Sequence, residues 1–206
     1  MTNYFHHGVS ITPRKGDLLI SEPFLPDPNF ERTVVLICEN NEDGSIGFIL
    51  NKPSLVSIGD VFEEFDHIPK KLMVGGPVQQ DSMHFIHRSL ADVEGGTKIG
   101  DGICWGGNFE QLKILMQDNR VNQHDVLYFL GYSGWAPGQL DEELKENSWI
   151  VSPEATATQV FDLDPELLWR EVLKNMGGKY RMFSNYPKMG RKHLDTWYRD
   201  NKHFLN

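Results

Sequence analysis

Arg32-Thr33-Val34-Val35-Leu36-Ile37-Cys38-Glu39 is β-branched and aliphatic, Asn40-Asn41-Glu42-Asp43-Gly44 supplies turn residues, and Ser45-Ile46-Gly47-Phe48-Ile49-Leu50 resumes the apolar character. Two such runs joined by so short a polar turn specify a β-hairpin. Upstream, residues 16–21 are short and apolar and read as a strand. Residues 22–29 are interrupted by Pro23, Pro26 and Pro28 and form a loop that cannot be helical. Downstream, Ser57 is placed to cap a short helix to Phe65, since Ile58, Val61, Phe62 and Phe65 recur at spacings of three and four. Strands are expected at 71–74, 83–87 and 102–105.

The best-patterned helix opens at Gly106-Gly107-Asn108, with Asn108 as cap, Gln111 as its reciprocal partner, and Phe109, Leu112, Leu115 and Met116 as the inward stripe. Asp118-Asn119 marks its exit. Residues 125–130 form a strand, Gly131-Tyr132-Ser133-Gly134-Trp135 reads as a glycine turn, and Pro137 suits the first turn of a helix running to about Glu146. A short strand at 148–152 follows. The last helix starts at Asp164-Pro165, turns Leu167, Leu168, Val172 and Leu173 inward, and closes at Gly177-Gly178. Strand pairs interrupted by helices in no regular alternation imply an α+β fold, and 206 residues suit a single domain over 1–206.

Composition excludes several classes. Apolar residues make up 39% and charged residues 24%, so the chain is neither disordered nor fibrous. Apolar runs such as Val34-Val35-Leu36-Ile37-Cys38 stop far short of the ~20 residues that span a bilayer. Residues 1–10 lack the basic start and apolar core of a secretory signal, and Cys38 and Cys104 alone provide no disulfide framework. A cytoplasmic location follows as the expectation. Charge is unevenly placed: residues 1–178 hold 13 Lys/Arg against 27 Asp/Glu, whereas 179–206 hold seven against two. The net −9 repels phosphate backbones, so tight binding of duplex DNA is not expected.

The motifs name no reaction. Trp135 stands where the second glycine of a G-x-S-x-G nucleophile elbow belongs, which leaves Ser133 as a turn residue. His84 and His87 are three apart on a strand and point to opposite faces, so they would not share an ion. The glycine clusters continue into neither a Walker loop nor a dinucleotide fingerprint. Gln139, Glu142, Glu143 and Glu146 read as a solvated acidic helix face. No catalytic residue, metal site or cofactor is expected.

Several segments together resemble one family. Gly16-Asp17-Leu18-Leu19-Ile20-Ser21-Glu22-Pro23, Asp27-Pro28-Asn29-Phe30-Glu31-Arg32-Thr33-Val34-Val35, Gly44-Ser45-Ile46-Gly47-Phe48-Ile49-Leu50-Asn51-Lys52-Pro53, Gly75-Gly76-Pro77-Val78 and Gly131-Tyr132-Ser133-Gly134-Trp135-Ala136-Pro137-Gly138-Gln139-Leu140 are similar, in this order, to the bacterial YqgE/AlgH family. The resemblance covers roughly residues 10–186. It implies a bifurcated mixed sheet that includes a small barrel, surrounded by helices. It also implies a non-catalytic regulatory or binding role, since members carry at most the label of transcriptional regulator and no catalytic residues are established. The alternative is a small-molecule or anion-binding enzyme using the 27–32 loop and the 131–135 turn. Candidate binding residues are Asp27, Asn29, Arg32, Gly75, Gly76, Gly131, Trp135 and Gln139, with the loop and the glycine turn expected to lie side by side. Residues 189–206 depart from the family pattern. There Leu194, Trp197 and Tyr198 fall at helical spacing among Arg191, Lys192, Arg199 and Lys202, an amphipathic basic stripe expected to dock on the body, a partner or a second copy.

Overall fold

The structure, a computed structural model, describes residues 12–187. The basic segment 189–206 and its expected docking lie outside the described residues. β1 (Leu18–Ser21), β2 (Val34–Asn41) and β3 (Gly44–Ile49) form the start of the sheet as the sequence implies. β2 is buried through Cys38 without alternation because both of its faces are covered. Val34, Leu36 and Cys38 enter the main core, and Val35 and Ile37 enter a second cluster on the opposite face. Full burial of each aliphatic side chain is worth roughly 1.5–3 kcal/mol, so this strand anchors two layers at once.

The remaining strands are β4 (Pro53–Ser57), β5 (Lys71–Val74), β6 (Val78–His87), β7 (Thr97–Gly100), β8 (Ile103–Trp105), β9 (Val126–Trp135) and β10 (Trp149–Ser152). They join one sheet in the order β10-β1-β2-β3-β9-β6-β8-β7, with β5 added to β9 and β4 to β5. The β5/β9 pair is parallel, with Met73 opposite Phe129, in an otherwise antiparallel sheet. β9 is the fork. Its residues 126–130 pair with β6 and Phe129 and Leu130 also with β5, while Ser133 to Trp135 pair with Gly47 to Ser45 of β3. The sheet is thus bifurcated and mixed. It is not closed: Ile99 of β7 curls back until a Cβ on Gly16 would stand 2.7 Å from its carbonyl oxygen, yet no strand pairing joins β7 to β1 or β10. Among the described residues the sheet is therefore mixed and bifurcated as the resemblance implies, but not closed into a small barrel.

Helices cover the sheet. α1 (Ile58–Val61) is capped by Ser57, whose hydroxyl accepts from Asp60 N while the Asp60 carboxylate accepts from Ser57 N. α2 (Phe109–Gln117) buries Leu112, Leu115 and Met116 against β6 and β9 residues. Asn108 Oδ1 accepts from Gln111 N, but the Gln111 side chain does not reciprocate; its Oε1 accepts from Glu94 N at 2.9 Å and ties the helix to the loop after β6. α3 (Gln139–Lys145) packs Leu140 on the second cluster. α4 (Ala157–Phe161), α5 (Pro165–Met176) and α6 (Gly178–Phe183) close the main core. In α5 the inward stripe is Leu168, Trp169, Val172 and Leu173, and Leu167 is half exposed. A 100° step per residue puts 167 nearly opposite the centre of that stripe, which corrects its expected inward position.

Residues 131–135 also differ from expectation. They form no turn before the helix but continue β9, because the backbone at Gly131, with φ +64°, bends the strand without ending it.

Candidate functional site

The glycines expected at a site serve a backbone crossing. The carbonyl of Gly75 accepts from Ile49 N at 2.9 Å and from the Ser133 hydroxyl at 3.0 Å. A Cβ on Gly75 would come within 2.3 Å of the Gly131 carbonyl oxygen, and one on Gly76 within 2.2 Å of Tyr132. Only residues without a side chain let the link between β5 and β6 lie so close to β9. Ser133 is fully buried, with its hydroxyl spent on this crossing, and it occupies a strand position in place of the expected turn.

The proline-held loop organises itself locally. Asp27 Oδ1 accepts from Asn29 N at 2.7 Å, and the Lys52 ammonium donates to the carbonyls of Pro28 and Asn29. Arg32 adopts a left-handed backbone, φ 51°, and its carbonyl accepts from Asn51 Nδ2. Its guanidinium lies 4.6 Å over the Trp169 ring and donates to the Tyr186 carbonyl at 2.6 Å. Burial lowers the pKa of this guanidinium, partly offset by Glu31. Asp27, Asn29 and Arg32 thus share a loop, but among the described residues none bonds to 131–135. Phe30 makes the link, stacked on Trp135 at 6.3 Å and edge-on to Trp149 at 5.2 Å.

That contact leads to a group the sequence reading misplaced. Glu143 does not belong to a solvated face: its Oε2 accepts from the indole N–H of both Trp135 (2.9 Å) and Trp149 (2.7 Å), and its Oε1 from Gln139 Nε2. Gln139 in turn accepts from Ala136 N through its Oε1. Each of the two indoles is buried by the fold and requires an acceptor, and Glu143 supplies one to both; the chain carries no local signal of this, because it depends on which side of α3 the indoles pack. Gln139 and Trp135 are brought together, then, as parts of a clamp.

The two histidines of β6 are separated as expected. His84 packs against Phe48 and Tyr132, while His87 is buried with Nε2 toward the Gly106 carbonyl and Nδ1 accepting from Leu90 N. Burial lowers the pKa of both. Among the described residues no group of three or more His, Cys, Asp or Glu is placed to hold a metal ion, and no helix is long and apolar enough to cross a membrane.

Open concavity lies elsewhere, on either side of the β2–β3 turn. One groove, about 350 Å³, is lined by Glu39, Asn41, Asp43, Ile46, Tyr132 and Trp135 among others. The other, about 300 Å³, shares Asn41, Gly44 and Ser45 with it and adds Glu42, Ala136 and Asp141. No lysine or arginine lines either groove among the described residues.

A bifurcated, unclosed α+β sheet with a glycine crossing at its fork defines the structural class. The chain belongs to the AlgH-like family, whose model matches residues 18–181. A UPF0301 protein from Cytophaga hutchinsonii is 45% identical over 174 residues, covering 84% of this chain and 95% of that protein. A UPF0301 protein from Bacteroides thetaiotaomicron is 39% identical over 182 residues, 87% of this chain and 91% of its own length. Among solved structures, the AlgH protein from Pseudomonas aeruginosa superposes with a TM-score of 0.66 at 27% identity, covering 87% of this chain and 98% of that one. A protein from Corynebacterium diphtheriae reaches 0.74 at 24% identity over 89% of this chain and 98% of its own, a likeness of fold.

Proposed function

We propose that this protein is a non-catalytic binding or regulatory protein of the cytoplasm that acts through a protein partner and reaches transcription, if at all, indirectly. The groove pair at the β2–β3 turn carries the reading. Its charged linings, Glu39 and Asp43 on one side and Glu42 and Asp141 on the other, are all carboxylates, set beside Tyr132 and Ile46. Such a surface repels nucleic-acid phosphates and accepts cationic protein side chains over an apolar floor. The polar groups that an enzyme or anion-binding role would draw on are engaged internally: Asp27 within its turn, Arg32 on Tyr186 and Trp169, Ser133 on Gly75. The test is a gel-shift titration of purified full-length protein on duplex DNA at about 150 mM salt, where exposed charges are screened beyond ~8 Å. No sequence-dependent complex forms at nanomolar protein. A nanomolar, sequence-dependent shift would reverse the reading.

A further inference from the structure

We propose that the acidic grooves flanking the β2–β3 turn are the seat of this chain's own basic segment, residues 188–206. This rests on the reading of those grooves as the binding face, and it names their first occupant. Three observations converge. The first is charge: Glu39, Glu42, Asp43 and Asp141 line the grooves with no cation among the described lining residues, while the segment carries Lys188, Arg191, Lys192, Arg199 and Lys202 against Asp195 and Asp200. The second is side-chain type. Trp197, Tyr198 and Leu194 offer aromatic and aliphatic surface to a groove whose wall includes Tyr132, Ile46 and Val78.

The third is position. Tyr186 is held at the base of the hairpin, its carbonyl accepting from Arg32 and its ring stacked 5.4 Å from Phe24. From there the length of β2 to the turn is about 23 Å at ~3.3 Å per residue. Residues 188–206 span up to ~60 Å when extended, so the segment reaches the grooves on its own chain with slack.

The test places a nitroxide label on His193→Cys in an otherwise full-length Cys104→Ser chain, leaving the buried Cys38 untouched, and reads paramagnetic broadening of backbone amides. Asn41, Gly44, Ser45 and Gly134 lose most of their signal intensity, and recover it in about 1 M salt, where the screening length falls to ~3 Å. They also recover it in the Glu39→Gln, Asp43→Asn double variant. Unchanged intensity at those four amides overturns the proposal, as it would if residues 1–11, which lead to Thr12 at the groove edge, were the occupant. Broadening seen only when labelled and unlabelled copies are mixed also overturns it, in favour of a second copy. Either result leaves the DNA titration above to stand or fall by itself.

Discussion

Trp135 separates two acidic regions that look alike in sequence and differ in what their carboxylates do. On its α3 side Glu143 receives three donors from within the protein, two indoles and Gln139. On its groove side Glu39 accepts from Asn41 Nδ2 alone, and the Asp43 side chain accepts no bond among the described residues. A carboxylate whose lone pairs are filled internally holds the fold together. One whose lone pairs face solvent adds little to stability and is available to another molecule. Helix position and charge do not separate these cases; the presence of buried N–H groups within reach does.

Replacing Glu143 with alanine tests the first half most severely. It strands two nearly buried indole N–H groups, each worth about 1–3 kcal/mol when left unmade, so a loss of about 2–4 kcal/mol is expected in urea unfolding at neutral pH. A loss below about 1 kcal/mol would mean that water replaces the carboxylate easily and that the clamp is no different from the groove.

Glu22 provides the intermediate case, a half-buried carboxyl with one donor, Phe24 N, among the described residues. Burial raises its pKa from 4.5 to about 7, against a smaller lowering by that bond. The folded state therefore binds the proton more tightly than the unfolded chain. Its stabilising contribution is complete below about pH 4.5 and is lost as pH rises through about 7. Glu22→Gln, which keeps an oxygen for Phe24 N without the charge, removes this dependence. The variant should be about 2–3 kcal/mol more stable than wild type at pH 8 and nearly equal to it at pH 4, by denaturant melts at both values. Equal stability at pH 8 would show that Glu22 is hydrated.

The smallest effect is expected at the groove. Glu39→Gln with Asp43→Asn should shift stability by no more than about 0.5 kcal/mol, because glutamine keeps an oxygen for the exposed Asn41 Nδ2 and the Asp43 carboxylate accepts no bond among the described residues. A loss of more than about 1.5 kcal/mol would place these carboxylates with Glu143 and collapse the contrast.

Much of the fold was legible locally. The β2–β3 hairpin, the Ser57, Asn108 and Asp164 caps and the strand at Lys71–Val74 are set by turn chemistry, capping and apolar runs within a few residues of one another. Short elements such as β4, β7, α4 and α6 carry too few residues for a period to show. Of the residues the sequence singled out, Trp135 lines one groove and touches the 27–32 loop through Phe30, whereas Asp27, Arg32, Gly75, Gly76 and Gly131 are engaged within the fold. The acidic grooves went unseen because they combine residues from β2, β3, β6 and β9.

The sequence by itself determined the α+β class, the hairpin at its centre, the helix starts at Ser57, Asn108 and Asp164 and the family, since each rests on neighbours along the chain. Tertiary structure alone decided that 131–135 continues a strand, that the sheet forks at β9 without closing, and that Glu143 faces inward while Glu39 and Asp43 face a groove. The physical reason is the same for all three. A glycine bends or breaks a strand, and a carboxylate is satisfied or free, according to which distant backbone or indole is packed against it, and contacts of that kind have no local signature in the chain.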